Sequence, residues 1–116
     1  MDNSLRQISS KELNKWFQSQ NENPIVIDVR EDLELEIAKF PFEYIHFPLS
    51  KVSLDLVNPH FQTFVNREIV VLCHMGVRSF RFCQWLLEHE LVSQIWNLEG
   101  GIDGWSINVS SEIPRY

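Results

Sequence analysis

The sequence is short of cysteine, of positive charge and of long apolar runs, and each shortage removes a class of protein. Two cysteines, Cys73 and Cys83, in 116 residues are too few for a disulfide scaffold. In a reducing compartment both persist as thiols. Ten Lys and Arg stand against 16 Asp and Glu, a net charge of −6. A surface of that sign argues against nucleic acid and anionic membrane as partners, while leaving room for a small anion at one local basic spot. No stretch approaches the ~20 apolar residues of a membrane-spanning helix. The opening "MDNSLRQISSKELNKWF" is polar, without the apolar core of a signal peptide, so a cytoplasmic protein is expected. C-x-x-C and H-x-x-x-H spacings are missing, and His46, His60 and His89 are scattered, so no metal site is expected. There is no internal repeat, low-complexity tract or linker.

What the chain does have is core material. Apolar residues make up 44%, with four Trp and eight Phe. At this length they suffice for one domain covering residues 1–116. Ser9 followed by Glu12 forms a capping-box pattern, and Leu13, Trp16 and Phe17 share a face, predicting a short helix. "IVIDV" (25–29) and "EIVVLC" (68–73) are near-continuous β-branched runs, as expected of strands covered on both faces. "YIHFPLS" (44–50) reads as a short strand stopped by Pro48, and residues 51–66 as short helical pieces around "NPH". The acidic "REDLELE" reads as a solvated helix face. A helix is predicted from Ser79 to about Glu90, with Phe80, Cys83, Leu86 and Leu87 on its apolar side. "SQIWNLEGG" reads as a last strand, "GGIDG" as a turn, and "IDGW" as the start of a short helical segment. Alternating strands and helices predict an α/β fold with a mainly parallel central sheet flanked by helices on both faces.

Within that frame one stretch stands out, "VVLCHMGVRSFRFCQWLL" (70–87), because it parks a thiol where a buried strand ends and a helix is about to begin. In open α/β sheets ligands bind beyond the carboxyl ends of the strands. The first amides of the following helix lack internal partners, and the helix dipole adds partial positive charge there. Arg78 adds a full charge, and Gly76 lets the backbone turn tightly. A thiolate, the nucleophilic form of cysteine, is favoured in that setting. The loop reads as an anion cradle with a nucleophile at its floor.

Two enzyme classes use such a cradle. Protein tyrosine phosphatases place five residues between the cysteine and the arginine, whereas here there are four, His74, Met75, Gly76 and Val77. "CHMGVRS" resembles the active-site loop of the rhodanese family of sulfurtransferases. "IDVREDLE", with Asp28, Arg30 and Glu34, is similar to the family's first core strand. "LEGGIDGW", with Gly100, Gly101 and Trp105, is similar to its closing segment. The stretch "AKFPFEYIHFP" departs from the Gly-His-Ile-Pro-Gly-Ala segment that many members carry at the rim of the site.

The resemblance implies a rhodanese-like fold and a two-step sulfur transfer. Cys73 is the catalytic nucleophile and carries a persulfide. His74, Met75, Gly76, Val77, Arg78 and Ser79 form the loop that binds the substrate anion, chiefly through backbone amides. The partners implied are a small sulfur donor such as thiosulfate and a thiol or protein acceptor, with no metal or organic cofactor. Arg78 either touches substrate or braces the loop. His74 is assigned to the rim. Ser79 is a cap or first-turn residue whose hydroxyl is able to reach the sulfur. Asp28 and Arg30 are expected to support the loop by structural hydrogen bonds or ion pairs, and Cys83 to be packing. The alternatives are a sulfur-free scaffolding module on the same fold and a phosphatase or arsenate reductase.

Overall fold

The computed structural model describes residues 4–116. The order of elements is β1 (Leu5–Ile8), α1 (Ser10–Gln18), β2 (Ile25–Asp28), α2 (Asp32–Ile37), β3 (Ile45–His46), a 3₁₀ turn (Leu49–Lys51), α3 (Leu54–Gln62), β4 (Ile69–Leu72), α4 (Val77–Glu88), β5 (Ile95–Leu98) and α5 (Gly101–Asn108). The five strands form one sheet in the order β1-β5-β4-β2-β3, and every pairing is parallel.

The apolar runs read from the sequence explain the layers. Successive side chains of a strand point to opposite faces. Ile27 of β2 and Ile69 and Val71 of β4 pack with Val57 and Phe61 of α3 and with Phe82, Cys83 and Leu86 of α4. Their neighbours Val26, Val70 and Leu72 face the other way, onto Leu13 of α1 and Ile102 and Trp105 of α5. Both faces are therefore covered, and β4 has no exposed residue at all. The α1 capping box forms as expected, Glu12 N donating to Ser9 Oγ and Ser9 N to Glu12 Oε1, each at 3.1 Å. In the stretch that departs from the family segment, Phe40 and Phe42 gather with Phe17 and Trp105 into an aromatic cluster below the sheet.

Three expectations change. The polar N-terminal stretch contributes an edge strand, β1, paired residue for residue with β5. Residues 54–62 form one helix that keeps Pro59 inside it, not separate pieces. Finally, α4 begins at Val77, two residues earlier than predicted, and its buried stripe is Ser79, Phe82, Cys83 and Leu86. Phe82 therefore takes the core position expected of Phe80, which lies only half-buried.

Candidate functional site

The paired ends of β2 and β4, Asp28 beside Leu72, deliver Cys73 and Arg30 to the same edge of the sheet. Cys73 follows β4 directly and is 1% exposed. Residues 74–76 then turn the chain into α4. Gly76 occupies the N-cap with φ +98°, a left-handed conformation that favours glycine, and no side chain caps the helix. Among the described residues, two donors reach Cys73 Sγ. They are the Gly76 amide at 3.1 Å and the Ser79 hydroxyl at 3.2 Å. Ser79 sits in the first turn of α4, fully buried, and turns its hydroxyl back onto the sulfur instead of capping the helix. The sulfur thus lies at the floor of the loop with a backbone donor on one side and a side-chain donor on the other.

The underside of the loop is fixed by α5. Ile102 N donates to the Cys73 carbonyl at 2.9 Å and Asp103 N to the His74 carbonyl at 3.0 Å. The start of one helix thereby satisfies the two carbonyls that precede the start of another. Gly100 and Gly101, both at positive φ, permit this approach. "GGIDG" is consequently more than a turn, since it seats the loop. Asn97 of β5 adds a further tie. Its Nδ2 donates to the Gly76 carbonyl at 3.0 Å and to Gln7 Oε1 at 2.9 Å, and its Oδ1 accepts from the Ser79 hydroxyl.

Arg78 braces the loop from outside. Its guanidinium grips Glu34 of α2 with two hydrogen bonds of 2.7 Å. Glu34 also accepts from the Tyr116 hydroxyl at 2.9 Å, and Tyr116 in turn accepts from Arg30 Nη1 at 3.1 Å. The Tyr116 ring stacks on His74, centroids 3.9 Å apart and nearly parallel. Arg30 is fully buried against Asp28, its Nη2 at 2.8 Å from Oδ2. One network therefore runs from Asp28 through Arg30, Tyr116 and Glu34 to Arg78. Met75 and Val77 are exposed at 59% and 60%, forming an apolar lip on the open side. Cys83 is buried in the core, where burial pushes its thiol up to about 12, consistent with packing.

The residues beyond the loop motif that sequence reasoning missed are Asn97 and Tyr116. Glu34, read as part of a solvated face, is instead the partner of Arg78. Arg78 holds the Glu34 carboxyl down from its ordinary 4.5 to about 2, with further help from the Glu31 amide and Tyr116. A carboxyl depressed on folding stabilises the native state above its unfolded value, and that contribution disappears as pH falls through the folded value. Glu34→Gln is expected to lower stability at pH 7 by about 1 kcal/mol, the partly exposed Arg78 keeping the figure small. The gap between wild type and variant closes between pH 4.5 and 2, as measured by urea unfolding across that range.

Comparison with known proteins bears on the family and the fold. The family profile described as "Rhodanese-like domain" matches residues 9–108. The chain is 36% identical over 97 residues to the Rhodanese-like/PpiC domain-containing protein 12, chloroplastic, of Arabidopsis thaliana, covering 78% of this chain and 30% of that protein. It is 23% identical to a protein named sulfurtransferase from Allochromatium vinosum, covering 88% of this chain and 89% of that one. The chain spans between 25% and 30% of the length of three of its curated relatives. Among solved structures, the thiosulfate sulfurtransferase of Pseudomonas aeruginosa superposes on 96% of this chain and 20% of its own, with a TM-score of 0.74 at 18% identity. At that identity the likeness carries the fold.

Proposed function

The chain belongs to the Rhodanese-like domain family, and from that premise we propose that it is a sulfurtransferase that carries a sulfane sulfur on Cys73 between a small donor and a thiophilic acceptor. The thiolate of Cys73 attacks the outer sulfur of a donor such as thiosulfate. A new S–S bond forms to Cys73, the donor's own S–S bond breaks, and sulfite leaves with the electron pair. The resulting persulfide is an anion. An acceptor nucleophile, a thiol or a carrier protein, then takes the outer sulfur and returns Cys73 to the thiolate. The two steps balance without any further oxidant, reductant or cofactor. A reducing compartment such as the cytoplasm suits a mechanism that needs a free thiol.

One observation carries this reading: the sulfur of Cys73 lies between the Gly76 amide and the Ser79 hydroxyl, with the uncapped start of α4 above it. Those donors favour negative charge at the sulfur, as both the attacking thiolate and the persulfide require. His74, Met75 and Val77 shape the loop. Arg78, committed to Glu34, contributes its charge at a distance and holds the loop to α2. The exposed lip of Met75 and Val77 suits a protein or thiol acceptor approaching from solvent.

Incubation with thiosulfate is expected to add the mass of one sulfur atom to the protein, and Cys73→Ala to abolish the gain. An unchanged wild-type mass across thiosulfate, mercaptopyruvate and a persulfidated protein as donors would overturn the proposal in favour of a binding module. Phosphatase turnover exceeding sulfur transfer would overturn it in favour of phosphate chemistry.

A further inference from the structure

Asn97 is an unusual residue to find in the middle of a covered sheet. It is 1% exposed, on β5, in a strand whose other residues are apolar. Its orientation is determined by its partners. The Gly76 carbonyl is able only to accept, so Nδ2 faces it, and the second Nδ2 hydrogen goes to Gln7 Oε1. With both amide hydrogens occupied, Oδ1 is left pointing at the Ser79 hydroxyl. That hydroxyl has one proton and two acceptors within reach, Asn97 Oδ1 and Cys73 Sγ.

We propose that Asn97 is a positioning residue for the sulfur chemistry, competing with Cys73 for the single proton of Ser79. While Cys73 is a thiol, its S–H donates to Ser79 Oγ and the hydroxyl donates to Asn97. When the thiol proton leaves to solvent, or the sulfur becomes a persulfide anion, the hydroxyl turns its proton to the sulfur. Asn97 Oδ1 is then left buried without a donor. The anion therefore gains a charge-assisted hydrogen bond and forfeits a neutral one, which stabilises it less than a free serine would. Asn97 also holds the Gly76 carbonyl, so the competing acceptor and the backbone donor of the sulfur move as one unit. The functional meaning of this switch rests on the sulfurtransferase reading, but its existence does not.

The titratable and charged groups that face Cys73 are Arg78 and Cys83 of α4, with His74 beside it and Asp103 of α5 facing His74. The test is the pH dependence of alkylation of Cys73 by iodoacetamide, in a Cys83→Ala background that leaves one thiol. Asn97→Ala is expected to lower the midpoint by about one unit, roughly tenfold more thiolate at a given pH. Ser79→Ala is expected to raise it by a similar amount, and the double variant to coincide with Ser79→Ala. Gln7 is exposed, so Gln7→Ala leaves the core intact should Asn97→Ala not fold. It loosens the Asn97 amide and is expected to lower the midpoint in the same direction, about two- to threefold in thiolate. Midpoints unmoved by Asn97→Ala and Gln7→Ala, or moved equally with and without Ser79, overturn the proposal. Alkylation involves no sulfur transfer, so a protein that fails to load from any donor sinks the sulfurtransferase reading alone.

Discussion

Arg30→Met is expected to destabilise the fold by about 3–5 kcal/mol at neutral pH, because it leaves a carboxylate in the protein interior without its cation. Asp28 and Arg30 are both fully buried, and Arg30 meets both Asp28 oxygens through Nε at 3.1 Å and Oδ2 through Nη2 at 2.8 Å. The Arg30 amide adds a further bond to Oδ1 at 3.0 Å. With the guanidinium removed, desolvation of Asp28 is no longer offset. Protonating the carboxyl relieves that cost, so the penalty shrinks as pH is lowered; the Glu34→Gln penalty shrinks too, but because the wild type loses its ion pair and not because the variant sheds a stranded charge. Replacing both partners removes the stranded charge, so Asp28→Leu combined with Arg30→Met is expected to recover most of the loss. Denaturant unfolding of the two variants at pH 7 and pH 4.5 separates these outcomes. A single variant as stable as wild type would show that the pair contributes nothing. The site is expected to suffer with the fold, since Arg30 Nη1 also holds the Glu34 carbonyl at 3.3 Å and the Tyr116 hydroxyl.

The position of that pair was legible in the sequence, as was that of Cys73, because both lie at the ends of strands whose continuous apolarity marks them as covered on two faces. The cradle was legible because its parts are contiguous, Cys73 to Ser79. What stayed hidden depends on contacts between distant segments. In β1 the exposed Arg6 and Gln7 occupy half of a four-residue edge strand, and the strand exists because β5, some ninety residues on, is there to pair with it. Glu34 reads as solvated until Arg78 and Tyr116, 44 and 82 residues away, close over it. Asn97 looks like a polar interruption in an apolar strand, and its purpose emerges only when α4 lays Ser79 across it. The misplaced face of α4 has the same origin. Its buried stripe opens with a serine, so a search for apolar periodicity shifts to Phe80 and passes over Phe82. The hydroxyl occupies a core position because its partner is a sulfur.

Gly101→Ala is expected to cost about 3–5 kcal/mol and to disorganise the cradle even where the protein still folds. A Cβ at Gly101 would lie 2.4 Å from the His74 carbonyl oxygen and 2.5 Å from that of Cys73, and φ is +59°. Both neighbours are backbone atoms of the loop that carries Cys73, so the clash has no flexible side chain to displace. Relief requires α5 and the loop to separate, which breaks the bonds from Ile102 N to Cys73 and from Asp103 N to His74. Two carbonyls would lose their donors, and the turn that aims the Gly76 amide at Sγ would lose its support. Gly100 is the control. Its φ of +78° is equally left-handed, but an added Cβ would meet nothing closer than 3.5 Å. Gly100→Ala is therefore expected to cost only the backbone term, about 1–2 kcal/mol. Gly76→Ala falls between them, with backbone atoms at 3.1 and 3.3 Å and φ +98°. Thermal unfolding of the three variants, with sulfur loading measured on the folded fraction, tests the ranking. Equal losses at Gly100 and Gly101 would mean that chain conformation, and not the close approach of α5 to the loop, is what these glycines provide.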